Sequence, residues 1–436
     1  LMKGNISRRG LVKGTAWAVP VVLASTAVPA LAASHCQPGI VVPIPTNTST
    51  DGSSLTHTFT ATDKTQSLTF TITGGAGGSY QGDSYQGFGG AGAYITGTID
   101  LTEGDTVTFI TAGGGGPYSG SAEAPGRGWA DGGSHEAAYI GTNSYTNAFQ
   151  EGPGRITELY GPTGGGASAV LLNGTPLAIA GGGGGGGARQ ISRTTWSKIY
   201  GERPSGFKGL RFNHGNIANG GTGGPSYTGG EGYDETYEYF PGPSLHMNGG
   251  KGGYNGWAGA GGEAGNLLNP TSNSSLSFKN NSTYYTYRQS LAGNAGDNGY
   301  LTTPTGGTGG KGVVGIGMVV TIGSTHADRN QCSVLHGSTG GGGYGGGGSG
   351  SVTTAAGYAT DQRWAGEYTY VNGEYQAGDY WSPVGSAAFS GAGGAGGSYL
   401  DNQRVYSGYI ATGTSPGVAG SRVNGTSFAT VCEIQD

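Results

Sequence analysis

Residues 181–187 are seven glycines in a row, and no other feature limits the fold of this chain so strongly. Glycine in a helix interior costs about 1 kcal/mol per residue relative to alanine. Related runs recur at Gly74-Gly-Ala-Gly-Gly, 113–116, 340–343, 345–348 and Gly391-Ala-Gly-Gly-Ala-Gly-Gly, and glycine makes up 97 of 436 residues. No segment carries an apolar 3.6-residue period free of glycine, so helices are not expected. Glycine runs can be flexible spacers. These are short and flanked directly by apolar strands and aromatics. Their backbone groups need partners wherever they are buried. That favours extended polyproline-II-type helices packed side by side, with three residues per turn and the amides pointing outward to neighbours. Cα–H···O contacts would supplement the amide bonds. Strict Gly-X-Y repetition is absent, which excludes collagen.

Between the glycine runs lie segments with a period of two. Leu55–Ala61, Ser67–Thr73 and Asp105–Thr111 alternate apolar residues with threonine, the pattern of half-buried strands. Val313–Ile322 reads as a further strand thinned by glycine. Asn173-Gly174, Asn372-Gly373 and Asn424-Gly425 each sit between strand-like runs. Asn-Gly is the preferred filling of a type I′ turn, so three β-hairpins are expected. The fold class is all-β.

The first 32 residues read as an export signal. Arg8 and Arg9 open it, an apolar stretch broken by Pro20 and Pro29 follows, and Ala30-Leu31-Ala32 supplies a small-residue cleavage site. The paired arginines point to twin-arginine export, in a pattern resembling the signals of Gram-positive actinobacteria. No other apolar stretch is long enough to span a bilayer, so no membrane span is expected after signal removal. The remaining chain has 17 basic and 26 acidic residues, the signal having taken Lys3, Arg8, Arg9 and Lys13 from a total of 21 basic groups. That acidic balance argues against nucleic acid and anionic membranes as partners. The exported chain is expected to be extracellular, released or held at the cell surface.

Three cysteines in an exported chain suggest a disulfide. Cys36–Cys432 would tie the ends together; 36–332, 332–432 and three free thiols remain open. A loop as long as 36–432 is worth about 5 kcal/mol in the chain-entropy model. No cysteine has a second Cys or His at ligand spacing, so neither metal nor cofactor is expected.

The order of the motifs carries a resemblance. Gly74-Gly-Ala-Gly-Gly, Gly89-Gly-Ala-Gly-Ala-Tyr-Ile-Thr, Glu103-Gly-Asp-Thr-Val-Thr-Phe-Ile, Ala112-Gly-Gly-Gly-Gly, Gly164-Gly-Gly-Ala-Ser-Ala-Val-Leu-Leu and Leu177-Ala-Ile-Ala-Gly follow one another, with 340–348 and 391–399 near the end. The series resembles the glycine-rich domain of the anaplastic lymphoma kinase and leukocyte tyrosine kinase receptors, and similar bacterial secreted glycine-rich proteins. It covers about residues 55–400. The resemblance implies a jelly-roll-like β-sandwich with an inserted bundle of polyglycine helices. Residues 33–54 then read as a linker, 189–245 and 266–300 as polar insertions, and 401–436 as a C-terminal β extension. No receptor ligand-binding residue has a match here, and no kinase follows.

No catalytic motif is complete. Asn424-Gly-Thr-Ser-Phe-Ala resembles the nucleophile motif of subtilisin-like proteases, and His336 faintly echoes their histidine, but the supporting helix and an aspartate motif are missing. No glycine run ends in the Gly-Lys-Ser/Thr of a phosphate loop. Glu231, Asp234, Glu235 and Glu238 lack the calcium-loop signature and read as a solvated acidic loop. Tyr233, Tyr237 and Tyr239 in that loop, and Tyr284, Tyr285 and Tyr287, are the candidate binding residues, because tyrosine joins rigid contact area to a polar tip. The alternative is that these rings pack in the core. The expectation is a surface adhesin or structural module without enzymatic activity, taking a surface protein or glycan as partner, with a self-associating filament subunit as the other reading and a secreted hydrolase the third.

Overall fold

A computed structural model describes residues 36–82, 85–137, 155–193, 212–213, 217–226, 228–237, 245–265, 274–277, 283–287, 289–301, 306–322, 331–358, 366–371, 374–379 and 384–434. Among these there is no helix, and strands build several mostly antiparallel sheets. The export signal, with Arg8, Arg9, Ala30 and Ala32, lies outside the described residues.

Two five-stranded sheets share the main core. The first runs Cys36–Val41, Thr426–Ile434, Thr65–Thr73, Tyr94–Asp100, Tyr406–Ala411 in spatial order, and the second Leu55–Thr60, Thr106–Thr111, Ser168–Leu172, Thr175–Ala180, Tyr399–Leu400. The period-two pattern decides which side chains meet. Leu68, Phe70 and Ile72 point inward with Ile95, Ile99, Val107, Phe109, Val170 and Leu177, all fully or almost fully buried. Thr69, Thr71 and Thr73 point the other way. Burying a side chain the size of leucine or phenylalanine is worth about 1.5–3 kcal/mol, so this alternation fixes the register of the sheet.

A second pair of sheets lies further along the chain. One consists of Ala188–Arg193, Val384–Ser390, Val352–Tyr358 and Ser290–Leu291; the other of Ser274–Ser277, Thr283–Tyr287, Val314–Ile322, Gln331–His336 and Arg155–Tyr160. The last two strands pair in parallel, the one departure from antiparallel pairing among the named strands. Ser333 and Ser386 join the two sheets through their hydroxyls at 2.9 Å, and Leu335 is buried with Ala188 and Ala388.

The glycine runs continue the strands without losing register. Ala178 faces Leu400 in one sheet, and Ala188 faces Ser390 in another. Between them Gly396 donates to the Gly182 carbonyl at 2.9 Å and Gly393 to that of Gly185 at 2.8 Å. Each step forward on one chain is matched by a step back on the other, from one sheet through glycine into the next. The same holds where Thr73 faces Tyr94 and the amides of Gly74 and Gly77 then reach Ala93 and Gly90. It holds again where Val352 faces Ser390 and the amides of Gly391, Gly394 and Gly397 reach Ser351, Gly348 and Gly345.

Several expectations are met and others corrected. Asn173 and Gly174 both take positive φ between paired strands, as a type I′ hairpin requires. Val371 faces Glu374 across the second hairpin, whose Asn372-Gly373 turn lies outside the described residues. The third hairpin is absent. Asn424 instead uses its side chain as a clasp, Nδ2 donating to the carbonyls of Asn47 and Ser49 while Oδ1 accepts from the Gly114 amide. The stretch read as a linker contains the strand Cys36–Val41. The presumed C-terminal extension supplies Tyr406–Ala411 and Thr426–Ile434, the latter lying between Cys36–Val41 and Thr65–Thr73. Both terminal segments are integral because their alternating residues, Ala429 and Val431 among them, complete the main core.

Candidate functional site

Around residues 181–187 the hydrogen bonds repeat every third residue. The amides of Gly182 and Gly185 donate to Gly342 and Thr339, those of Gly183 and Gly186 to Gly75 and Gly78, and those of Gly184 and Gly187 to Gly221 and Ala218. The carbonyls of Gly181 and Gly184 accept from Ala93 and Gly90, those of Gly182 and Gly185 from Gly396 and Gly393, and that of Gly183 from Gly165. Six separate chain segments therefore surround this one. The approach is close enough to exclude a side chain: a Cβ on Gly183 would stand 1.9 Å from the Gly90 carbonyl oxygen, and one on Gly184 2.1 Å from that of Gly393.

A buried polar cluster sits where two strands hand over to glycine. The parallel register sets Tyr160 beside His336, the last strand residues before Gly161 and Gly337. Their rings stack at 4.1 Å, and His135 meets both edge-on, 5.4 Å from Tyr160 and 5.9 Å from His336. His336 Nε2 lies 2.7 Å from Glu158 Oε1. Burial lowers the basicity of His336, partly offset by Glu158. Burial, reinforced by the charge that His336 would carry, lowers His135 to about 3 against the opposing influence of the Gly161 backbone. Both imidazoles are thus neutral near pH 7. Neither ring nitrogen of His135, nor Nδ1 of His336, meets a partner in hydrogen-bond geometry. On the same strand, burial and Glu158 push the Cys332 thiol up to about 12, which keeps it protonated and a poor nucleophile. Among the described residues no three His, Cys, Asp or Glu side chains converge as metal ligands would.

The chain matches no protein-family model and no curated protein.

The sequence-predicted residues do not converge on one place. Tyr233 is buried, its hydroxyl donating to the Ala188 carbonyl at 3.2 Å, so its ring belongs to the core and not to a binding surface. Tyr237 faces Phe212 in strand register, and Tyr239 lies outside the described residues. Tyr284, Tyr285 and Tyr287 face Thr321, Val320 and Met318 in strand register. Asp234 engages His246, and Glu231 Oε2 accepts from the backbone and side chain of Asn219; Glu238 lies outside the described residues. Ser427 and Thr111 share a hydrogen bond at 2.6 Å within the main sheet pair, while His336 is committed to Glu158 in the other. Cys332 is a free, buried thiol.

Tyr94, Tyr406, Tyr409 and Phe428 share no local motif, and the first sheet gathers them on its outward face. The signal available for them was the Thr-x-Thr alternation of 69–73 and 96–98, which marks a sheet face left to solvent.

Proposed function

We propose that this protein is a secreted bacterial cell-surface adhesin or binding module, in which a bundle of polyproline-II-type glycine helices, inserted within a jelly-roll-like sandwich framework, forms a rigid scaffold. The observation that carries the reading is the three-residue repeat of amide partners along 182–187. A chain whose amides return to the same neighbour every third residue turns once in three residues, the pitch of that helix. With a rise of about 3.1 Å, seven such residues reach roughly 20 Å without internal hydrogen bonds. Stiffness then comes from neighbours, and a stiff, uncharged interior suits a part that must hold loops and faces at fixed positions. The likeness to receptor glycine-rich domains adds support, since those domains present a binding surface on a similar framework.

Two measurements test this. Hydrogen exchange on residues 33–436 should protect the amides of 182–187 as strongly as those of Leu68–Ile72; exchange at free-peptide rates sinks the scaffold. Fluorescently labelled protein should bind bacterial or host cells saturably in flow cytometry; binding absent from both sinks the adhesin.

Self-association is the second reading. Ile40 and Val41 are exposed on Cys36–Val41, an edge strand of the first sheet, and exposed apolar edges invite pairing with another chain. A single monomeric peak across a wide concentration range on a sizing column would remove it.

A further inference from the structure

We infer that the outward face of the sheet Cys36–Val41, Thr426–Ile434, Thr65–Thr73, Tyr94–Asp100, Tyr406–Ala411 is a binding platform for a neutral polysaccharide chain, an inference that rests on the adhesin reading and names its ligand and its surface. The face is built in rows that cross the sheet from strand to strand. Val41, Thr430, Thr69, Thr98 and Tyr406 form the first row. Phe428, Thr71, Thr96 and Tyr409 form the second, and Thr426, Thr73, Tyr94 and Ala411 the third. At about 4.8 Å between strands, Phe428 and Tyr409 stand roughly 14 Å apart with threonines between them.

Three properties point to a sugar polymer. First, these three rows contain no charged side chain, and the one carboxylate of the adjoining row Cys432, Ser67, Asp100 is engaged by the Tyr406 hydroxyl, so the face is poor in partners for an ionic ligand. Second, the centre is hydroxylic. Thr69 bonds Thr98 at 3.0 Å, Thr73 bonds Thr426 at 3.0 Å, and Thr71 donates to Thr96 at 3.3 Å, leaving oxygen lone pairs and methyl groups towards solvent. Third, aromatic rings flank that centre. Tyr406, Tyr409 and Phe428 are exposed, and Tyr94 and Tyr409 lie 6.1 Å apart at a tilt of 34°. A pyranose ring offers a C–H face for stacking and a rim of hydroxyls for hydrogen bonds, the complement of rings beside hydroxyls. Among the described residues, four of eleven exposed large apolar or aromatic side chains, Val41, Tyr406, Tyr409 and Phe428, stand in these three rows, which separates the face from ordinary scattered exposure.

A local distortion aims the tyrosines. Tyr406 and Tyr409 are three residues apart, and in a regular strand they would face opposite ways. A bulge between them lets Tyr406 face Thr98 and Tyr409 face Thr96, so both rings share the threonine side. Ser407 within the bulge holds φ 51, a left-handed conformation that a non-glycine residue adopts at a cost. Bulges that redirect side chains are characteristic of functional edges. Tyr406 is further fixed by donating to Asp100 Oδ1 at 2.9 Å.

The test is native affinity electrophoresis and pull-down of residues 33–436 with cellulose, chitin, starch and mannan. Variants are Tyr409→Ala and Phe428→Ala, with Trp257→Ala, an exposed aromatic outside this sheet, as control. The wild type and Trp257→Ala should be retained by at least one polymer. Each platform variant should bind that polymer about tenfold more weakly at an unchanged melting temperature, the scale of a lost aromatic contact. Retention by none of the four, equal retention by all variants, or a platform effect that follows a change in oligomer size, with a second copy as the occupant, each overturns the inference. Platform variants that lose a polymer but still bind cells keep both readings with another cell contact; platform variants that bind cells and polymer as the wild type does leave the adhesin standing without this face.

Discussion

Gly393 donates its amide to the carbonyl of Gly185 at 2.8 Å, and five residues before Gly393 and after Gly185 the same two chain segments are still in register as Ala388 facing Gln190. Glycine and strand thus form one continuous ladder. A strand pairs within a sheet, whereas the glycine stretch reaches neighbours on all sides, and this difference demands the absence of a side chain.

That demand makes a stability prediction. Gly184→Ala would place a methyl 2.1 Å from the Gly393 carbonyl oxygen, and both partners are backbone with no rotamer to change. Overpacking of this kind costs about 3 kcal/mol or more when the surroundings cannot move. Gly120→Ala, with nothing within 4 Å, should change stability by less than about 0.5 kcal/mol. Urea unfolding midpoints compare the two; equal midpoints would show that the interior is loose.

The buried imidazoles predict a pH dependence. The folded-state value of His135, about 3, lies below the ordinary 6.5, so the unfolded chain binds more protons between those limits. Its contribution to stability is complete above pH 6.5 and declines as the pH falls towards 3, by about 1.4 kcal/mol per unit for a single proton. His336, lowered for the same reason, adds in the same direction. Denaturation midpoints measured from pH 7 to 4 should fall, and His135→Phe should flatten the curve. An unchanged slope in that variant would assign the effect to other groups.

The thiols give a chemical test. Cys332 is free and buried, Cys432 is disulfide-bonded, and Cys36 is the one cysteine left in the chain. Cys36–Val41 pairs directly with Thr426–Ile434, with Pro38 facing Cys432. Non-reducing peptide mapping of oxidised protein should give a Cys36–Cys432 link and one thiol per chain, reactive only after unfolding. A bridge containing Cys332, or rapid labelling of the native protein, contradicts this.

The sequence made the strands legible where one face is buried, because Leu68, Phe70 and Ile72 must leave water together. The Asn173-Gly174 turn was legible from its positive φ requirement. Asn424-Gly425 misled because the same dipeptide serves a different need: the Asn424 side chain satisfies backbone groups of two distant segments, a tertiary demand that no local pattern records. The tyrosines misled for a related reason. Tyr233 shares an acidic, tyrosine-rich stretch with its sequence neighbours, but strand pairing and sheet packing decide which ring leaves water, and Tyr233 lies in a core. Tyr409 and Phe428 lie nineteen residues apart, and only the order of strands brings them to one face.

The bulge beside Tyr409 separates local strain from function. Ser407 is exposed and holds a positive φ that glycine adopts freely, so Ser407→Gly should relieve strain by about 1 kcal/mol and raise the melting temperature slightly. The gain is limited by the greater freedom that glycine confers on the unfolded chain. Because the bulge itself is kept, polysaccharide retention should not fall. Removing one residue of the bulge by deleting Ser407 should do the opposite. Either Tyr406 or Tyr409 then turns to the inner face, where the main core has no space for its ring, and the edge strand is expected to detach. Thermal melts and polymer retention on the two variants distinguish these outcomes; a deletion that binds and melts like the wild type would mean that the bulge has no part in presenting the tyrosines.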